Sequence, residues 1–281
     1  MAADAGNGSG GDQRAGLFGP ESVTWTVHAD PVFPIAGVRA LLLQALHPVT
    51  LAAVAQHNGF DKDFWGRLDR TGQYVTTVTF GPADEARRMA ARVRGIHRRL
   101  RGTDPNTGEP FRLDRPDLLL WVHCCEIESF LTTARRAGAA IGPEEAGRYV
   151  AEQTRAARLI GIPDGMAPTT MTDLLDYFAA MRPALRVTEQ TRRAVRALAL
   201  PPMPTRVRLL TPARPAWLTL AGLAFALLPP WARRMYRLPG LFTTDLAATA
   251  ALRTLRGAAS NLPYRLSGPP EVQAARALMA G

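Results

Sequence analysis

The stretch VRGIHRRLRG, residues 93–102, sets one histidine among four arginines. What chemistry it can do depends on which way His97 faces. Apolar residues fall at Ala86, Met89, Ala90, Val93, Ile96 and Leu100, the i, i+3, i+4, i+7 spacing of a core-facing helix. His97 stands four residues after Val93 and three before Leu100, on that stripe. Arg87, Arg94, Arg98 and Arg101 stand off it, so the arginines point outward or sideways and the imidazole points inward. A second histidine repeats the pattern: Leu119, His123, Ile127 and Phe130 share a face, with Val122 and Glu126 beside them. An inward imidazole needs a partner for each nitrogen. Glu126, three residues after His123, is within reach as that partner, and a backbone carbonyl is the other plain choice.

Two inward histidines on successive helices also raise a cofactor. Zinc needs three or four N, S or O ligands, but the only cysteines, Cys124 and Cys125, are adjacent rather than spaced as C-x-x-C. They cannot both share the His123 face and read as small core residues. A carboxylate-bridged di-iron bundle needs two E-x-x-H motifs with further glutamates, whereas this chain has only the reversed His123-x-x-Glu126. Haem needs one axial histidine in an apolar helical pocket, polar groups near the bound gas and arginines for its propionates. Among common metal cofactors it asks least that is absent. No G-x-S-x-G elbow, P-loop or G-x-G-x-x-G occurs, which leaves hydrolase and nucleotide chemistry without support. His47, before Pro48, and His57, near a helix C-terminus, read as structural, and His28 in WTVHADP reads as a loop residue.

The elements that position these residues are almost all helical. PIAGVRALLLQALH (34–47) is a first apolar helix, and Pro48 opens another that Asn58-Gly59 stops, with Pro just inside the start and Gly just past the end. YVTTVTF (74–80) is the best strand candidate, being β-branched. The His97 helix runs over 82–101, with Asp84 and Glu85 in its first turn and Gly102 at its end. TDPNTGEPFRLDRP is a turn-rich connection. The His123 helix covers 117–138, capped by Asp114 or a neighbour, and the next starts at Pro143 and stops at Gly161. Thr170 or Thr172 caps the following one. The predicted fold is all-α: one helical-bundle domain of about ten helices over residues 17–281, with a C-terminal subregion after about residue 201.

Composition narrows the class. The net charge of +10 comes from arginine, since Lys62 is the only lysine; such a bias reflects coding background as much as a selected basic surface. With no reader motif and few aromatics among the basic residues, a nucleic-acid partner is not expected. Two adjacent cysteines make no disulfide framework. MAADAGNGSGGDQRAG (1–16) lacks basic and apolar signal regions and reads as a flexible tail, so a cytoplasmic location is expected. The apolar run 216–231 is shorter than the about 20 residues a membrane span needs. It reads first as a core helix. Its flanks Arg214, Arg233, Arg234 and Arg237 also give 216–237 the make-up of a helix on an anionic membrane surface, peripheral to the inner face of the membrane.

Four strings taken in order, ALLLQALHPVTLAAVAQH (40–57), RLDRTGQYVTTVTFG (67–81), VRGIHRRLRG (93–102) and LLLWVHCCEIESFL (118–131), resemble the family uniting latex-clearing rubber oxygenases with the mycophenolic-acid pathway oxygenase, and in particular its actinobacterial members. The resemblance covers roughly residues 20–185 and continues weakly to LLPPWARRMY (227–236). It implies an all-α bundle with a globin-like core holding haem b, and dioxygen as co-substrate. The family's axial-histidine pattern V-R-x-x-H-x-x-(V/L)-R is matched by Val93, Arg94, His97, Leu100 and Arg101. This makes His97 the implied iron ligand and Arg94 a cofactor contact, with His123 behind the haem or, as the lesser alternative, on its opposite face. The latex-clearing motif Arg-x-x-Lys-Thr reads Arg67-Leu68-Asp69-Arg70-Thr71 here. Arg67 and Thr71 match, but Arg70 replaces the lysine; an arginine does not lose its proton to bind iron, so any role at position 70 is electrostatic. The expectation is a haem-dependent oxygenase attacking an apolar, isoprenoid- or polyketide-like small molecule, with Arg67, Arg70 and Thr71 as catalytic residues. The alternative is a haem-binding or membrane-associated protein without catalysis.

Overall fold

The computed structural model describes residues 16–57, 63–238, 240–261 and 270–280. Fourteen α-helices account for most of them: α1 (Val23–His28), α2 (Phe33–Gln44), α3 (Pro48–His57), α4 (Phe64–Phe80), α5 (Ala83–Arg99), α6 (Pro116–Arg136), α7 (Pro143–Ile160), α8 (Met171–Met181), α9 (Glu189–Ala199), α10 (Thr205–Leu210), α11 (Ala213–Ala226), α12 (Pro230–Met235), α13 (Phe242–Ser260) and α14 (Pro270–Ala280). The all-α expectation holds. The count exceeds about ten because α1, α10 and α12 are single short pieces of six residues. The expected 1–15 stretch of the tail and the Asn58-Gly59 stop lie outside the described residues.

α2 packed against α6 is the tightest helix pair and forms the centre. Both carry proline in the first turn, Pro34 in α2 and Pro116 in α6, where its missing N–H costs nothing, and α6 adds Asp117 in its first turn and Arg135 and Arg136 in its last, favourable to its dipole. Leu43, Leu46, Trp121, Ile127, Leu131 and Tyr149 are fully buried around this pair. One charge crosses it. Arg39 on α2, 1% exposed, donates to both Glu128 carboxylate oxygens at 2.5 and 3.0 Å, to Ser129 Oγ at 2.7 Å and to the Leu227 carbonyl at 2.9 Å. A guanidinium so fully satisfied tolerates burial, and it ties α2, α6 and the end of α11 into one register.

Several local expectations change. YVTTVTF is the last part of helix α4, not a strand: Val75, Thr76, Val78 and Thr79 are buried on one helical face. Packing overrides the β-branched preference there. The His97 helix ends at Arg99 rather than 101. Leu100 is extended (ψ 142°), and Arg101–Thr103 pairs antiparallel with Pro110–Arg112 as a small hairpin inside the turn-rich connection. Gly102 belongs to that hairpin rather than ending the helix, and a Cβ on it would fall 2.6 Å from Phe111 Cζ. α6 has Arg115 at its N-cap without a side-chain bond, because Asp114 is engaged by Arg112 at 2.5 Å. Thr170 is the cap of α8, accepting from the Asp173 N–H at 3.1 Å. The 216–231 run divides into α11 and α12, and Ala221, Leu223, Ala224, Leu227 and Leu228 in it are core. No single helix among the described residues is long and apolar enough to cross a membrane; the bent pair α2–α3 reaches the composition, and its apolar residues are largely core.

Candidate functional site

α5 lies along α4 and α7 and, among the described residues, has no extended contact with α6. The two histidine-bearing helices are therefore not packed on one another; α7 touches both. On α6 every residue from Leu118 to Ile127 is buried except Val122 and Glu126, one turn apart. Burial raises the Glu126 carboxyl to about 7, opposed by a hydrogen bond with Gln44 at the end of α2. The half-buried carboxyl thus carries a strongly desolvated charge. The phenol of Tyr74 on α4 is pushed up first by burial and next by the Glu126 charge, with the Arg94 charge acting in the opposite direction. Tyr74 on α4, Arg94 on α5 and Glu126 on α6 are therefore near enough for their charges to act on one another.

Arg94 is not a solvated rim residue. Its guanidinium donates to the Leu159 carbonyl at the end of α7, and its stem lies under Gly161, where an added Cβ would sit 3.2 Å from Arg94 Cδ. Gly161 has φ 103°, the left-handed C-cap that glycine permits. His97 is one turn further along α5. It is half-buried; burial lowers its pKa, with the Asp114 charge acting against that. Its Nδ1 is buried with no hydrogen-bond partner. Ile96, expected on the same stripe, is 44% exposed, so the inward face of α5 near its end is narrower than the spacing suggested. Arg87, Arg98 and Arg101 are exposed as expected.

His123 is buried, and burial lowers its pKa to about 4. The expected bond to Glu126 is not formed among the described residues; the Glu126 carboxyl is hydrogen-bonded with Gln44 instead. Arg67 stands two turns before Tyr74 on α4, hence on the same face. It is half-buried, its pKa lowered by burial and then by the neighbouring charge of Arg70. Arg70 itself is exposed and paired with Asp63 at 2.9 Å, and Thr71, also exposed, donates its hydroxyl to the Arg67 carbonyl at 2.9 Å. The structure thus brings Arg67, Arg94 and His97 to the inward side and leaves Arg70 and Thr71 outside.

The remaining histidines are structural. His28 ends α1 and is buried, not a loop residue; its nitrogens meet Thr79 Oγ1 at 2.7 Å and the Tyr149 hydroxyl at 3.0 Å, and burial lowers its pKa to about 3. His47 Nδ1 accepts from the Thr50 N–H at 3.2 Å, satisfying the start of α3. His57 Nε2 lies 2.5 Å from the Arg101 carbonyl. Cys124 and Cys125 are free, buried thiols with raised pKa values, as core residues should be. Sequence spacing did not single out Tyr74 or Gln44; Tyr74 was hidden by its place in an apparent strand, and an uncharged Gln44 at a helix end carries no signal.

Among the described residues no three His, Cys, Asp or Glu side chains converge as a metal-ion site. An iron centre here would need its other ligands from a prosthetic group. The side chains present fit such a group: a histidine whose pKa burial lowers, a buried ring nitrogen on it without a partner among the described residues, and the half-buried arginines Arg67 and Arg94 on α4 and α5.

The family model described as "ER-bound oxygenase mpaB/B'/Rubber oxygenase, catalytic domain" matches residues 25–261, a span that includes Arg67, Tyr74, Arg94, His97, His123 and Glu126. No curated protein and no solved structure matches the chain. The family is an oxygenase catalytic domain, which makes the protein an enzyme of the oxygenase class with dioxygen as co-substrate. With most of its length covered by that model, the chain belongs to the mpaB/rubber oxygenase catalytic-domain family.

Proposed function

We propose that the protein is a haem-b-dependent oxygenase acting on an apolar, isoprenoid- or polyketide-like small molecule, with His97 as the residue that would hold the iron. The observation that carries this reading is the buried Nδ1 of His97, which has no hydrogen-bond partner among the described residues. Leaving a buried polar atom unsatisfied costs about 1–3 kcal/mol, a cost natural folds keep where a function uses it. Burial holds the imidazole neutral, the form that binds iron. Bound there, the haem would supply the dioxygen binding and one-electron chemistry that side chains lack.

The other side chains then have separate tasks. Arg94, braced against the Leu159 carbonyl, and Arg67, with the charge of Arg70 behind it, are placed to hold propionate carboxylates. Thr71 fixes the turn that carries Arg67. Glu126, poised near neutrality at about 7, can hold or release a proton at its carboxyl at physiological pH. Val93 on α5 and Val122 on α6 are half-buried apolar side chains, the kind of surface an apolar substrate needs. His123 stands behind this layer as a neutral positioning group.

The experiment is turnover of haem-loaded protein against a panel of terpenoid and polyketide alkenes under ¹⁸O₂. Label in the product, with dioxygen uptake that His97→Ala abolishes, supports the proposal. Label drawn only from water, or oxidation that proceeds without dioxygen, contradicts it.

A further inference from the structure

The part of the molecule least like a folded interior is α10. From Pro204 to Pro212 every residue is exposed. Leu209 and Leu210, adjacent on this short helix, are 70% and 79% exposed, and Leu200, just before it, is 52% exposed. Large apolar side chains grouped this way mark an interaction surface rather than scatter. Beneath them runs an apolar groove of about 390 Å³, lined by Trp65, Met203, Pro204, Val207, Trp217 and Leu220.

The charge around this face has one sign. Between Thr191 and Thr244 the chain holds nine arginines and no acid. Arg192, Arg193 and Arg196 are answered by Glu189, and Arg233 by Asp245. Arg206, Arg208 and Arg214, which flank the exposed leucines, are exposed and have no ion pair among the described residues. Leucines turned outward between free arginines are the arrangement that inserts apolar tips at an acyl boundary while guanidinium groups reach phosphate. A nucleic acid would use the arginines but leave the leucines in water. The apolar run 216–231, which composition alone would choose for such contact, is largely spent on the core.

We infer that the α10 face docks on an anionic lipid bilayer, with Leu209 and Leu210 entering the headgroup boundary and Arg206, Arg208 and Arg214 pairing with lipid phosphates. This surface does not depend on the oxygenase reading, and its test uses no turnover.

The test is flotation of the full chain with vesicles of phosphatidylcholine containing phosphatidylglycerol, beside vesicles of phosphatidylcholine alone. The protein floats with the first and not the second. Leu209→Ser/Leu210→Ser and Arg206→Gln/Arg208→Gln/Arg214→Gln each lower the bound fraction by about tenfold or more, and salt weakens binding of the parent. Leu175→Ser, which removes an apolar group 58% exposed on α8, leaves flotation unchanged. Matching unfolding curves for all variants show that the substitutions act at the surface. The inference is overturned if the parent stays unbound or floats equally with neutral vesicles, or if the α10 variants float like the parent. It is also overturned if light scattering finds a parent dimer that Leu209→Ser/Leu210→Ser dissociates, since a second copy then covers the face. A salt-sensitive shift of DNA that only the arginine variant loses likewise replaces the lipid with a nucleic acid.

Discussion

Replacing Glu126 by glutamine tests whether its carboxyl is desolvated in the folded chain. Burial raises the carboxyl from 4.5 to about 7. Below about pH 4.5 the group is protonated in both folded and unfolded chains and contributes no difference. As pH rises, the unfolded chain releases its proton first, so the folded state loses stability progressively until the folded carboxyl also ionises near pH 7. At 1.36 kcal/mol per pKa unit the full loss is about 3 kcal/mol, an upper figure because water still reaches the group. Glu126→Gln keeps the shape and the Gln44 contact without an ionisable proton. It is expected to melt close to the parent at about pH 4.5, and to exceed it by up to about 3 kcal/mol at about pH 8, worth about 5–10 °C in a chain of this size. Urea unfolding at the two pH values reads this directly. A stability difference that is the same at both would refute the reasoning, because Glu126 would then titrate like a solvated carboxylate.

Two further substitutions address the frame. Glu128→Ala leaves the Arg39 guanidinium, 1% exposed, without its carboxylate, and a loss of about 3–5 kcal/mol is expected in urea unfolding; a loss under about 1 kcal/mol would mean the pair is not buried in solution. Gly161→Ala places a side chain at φ 103° against the Arg94 stem. It should cost about 1–2 kcal/mol and weaken haem retention by moving Arg94, as a titration with haem would show.

The helical frame was readable because prolines and glycines punctuate it. Pro48, Pro143 and Gly161 stand where helices begin and end. The phasing of His97 and His123 toward the interior was also readable, since a 3.6-residue period needs no tertiary information. YVTTVTF was misleading for the opposite reason: Val75, Thr76, Val78 and Thr79 are helical because α4 packs them inward, a fact their own β-branched shapes oppose. The hairpin after Arg99 was hidden because its key contact, Gly102 against Phe111, joins residues on either side of a turn. Glu126 was visible beside His123, but not its partner; only the fold brings Gln44 and Tyr74 to it from other helices. Similarly, Arg67, Arg70 and Thr71 are adjacent in sequence, yet one helix turns Arg67 inward and the other two outward.

The central claim is that His97 binds haem iron, and the visible spectrum of protein purified from haem-supplemented cells tests it most directly. A Soret band that is lost or displaced in His97→Ala, in a variant that unfolds at the parent's urea concentration, is the predicted result. A parent without a Soret band, or a band that His97→Ala leaves unchanged, would contradict it.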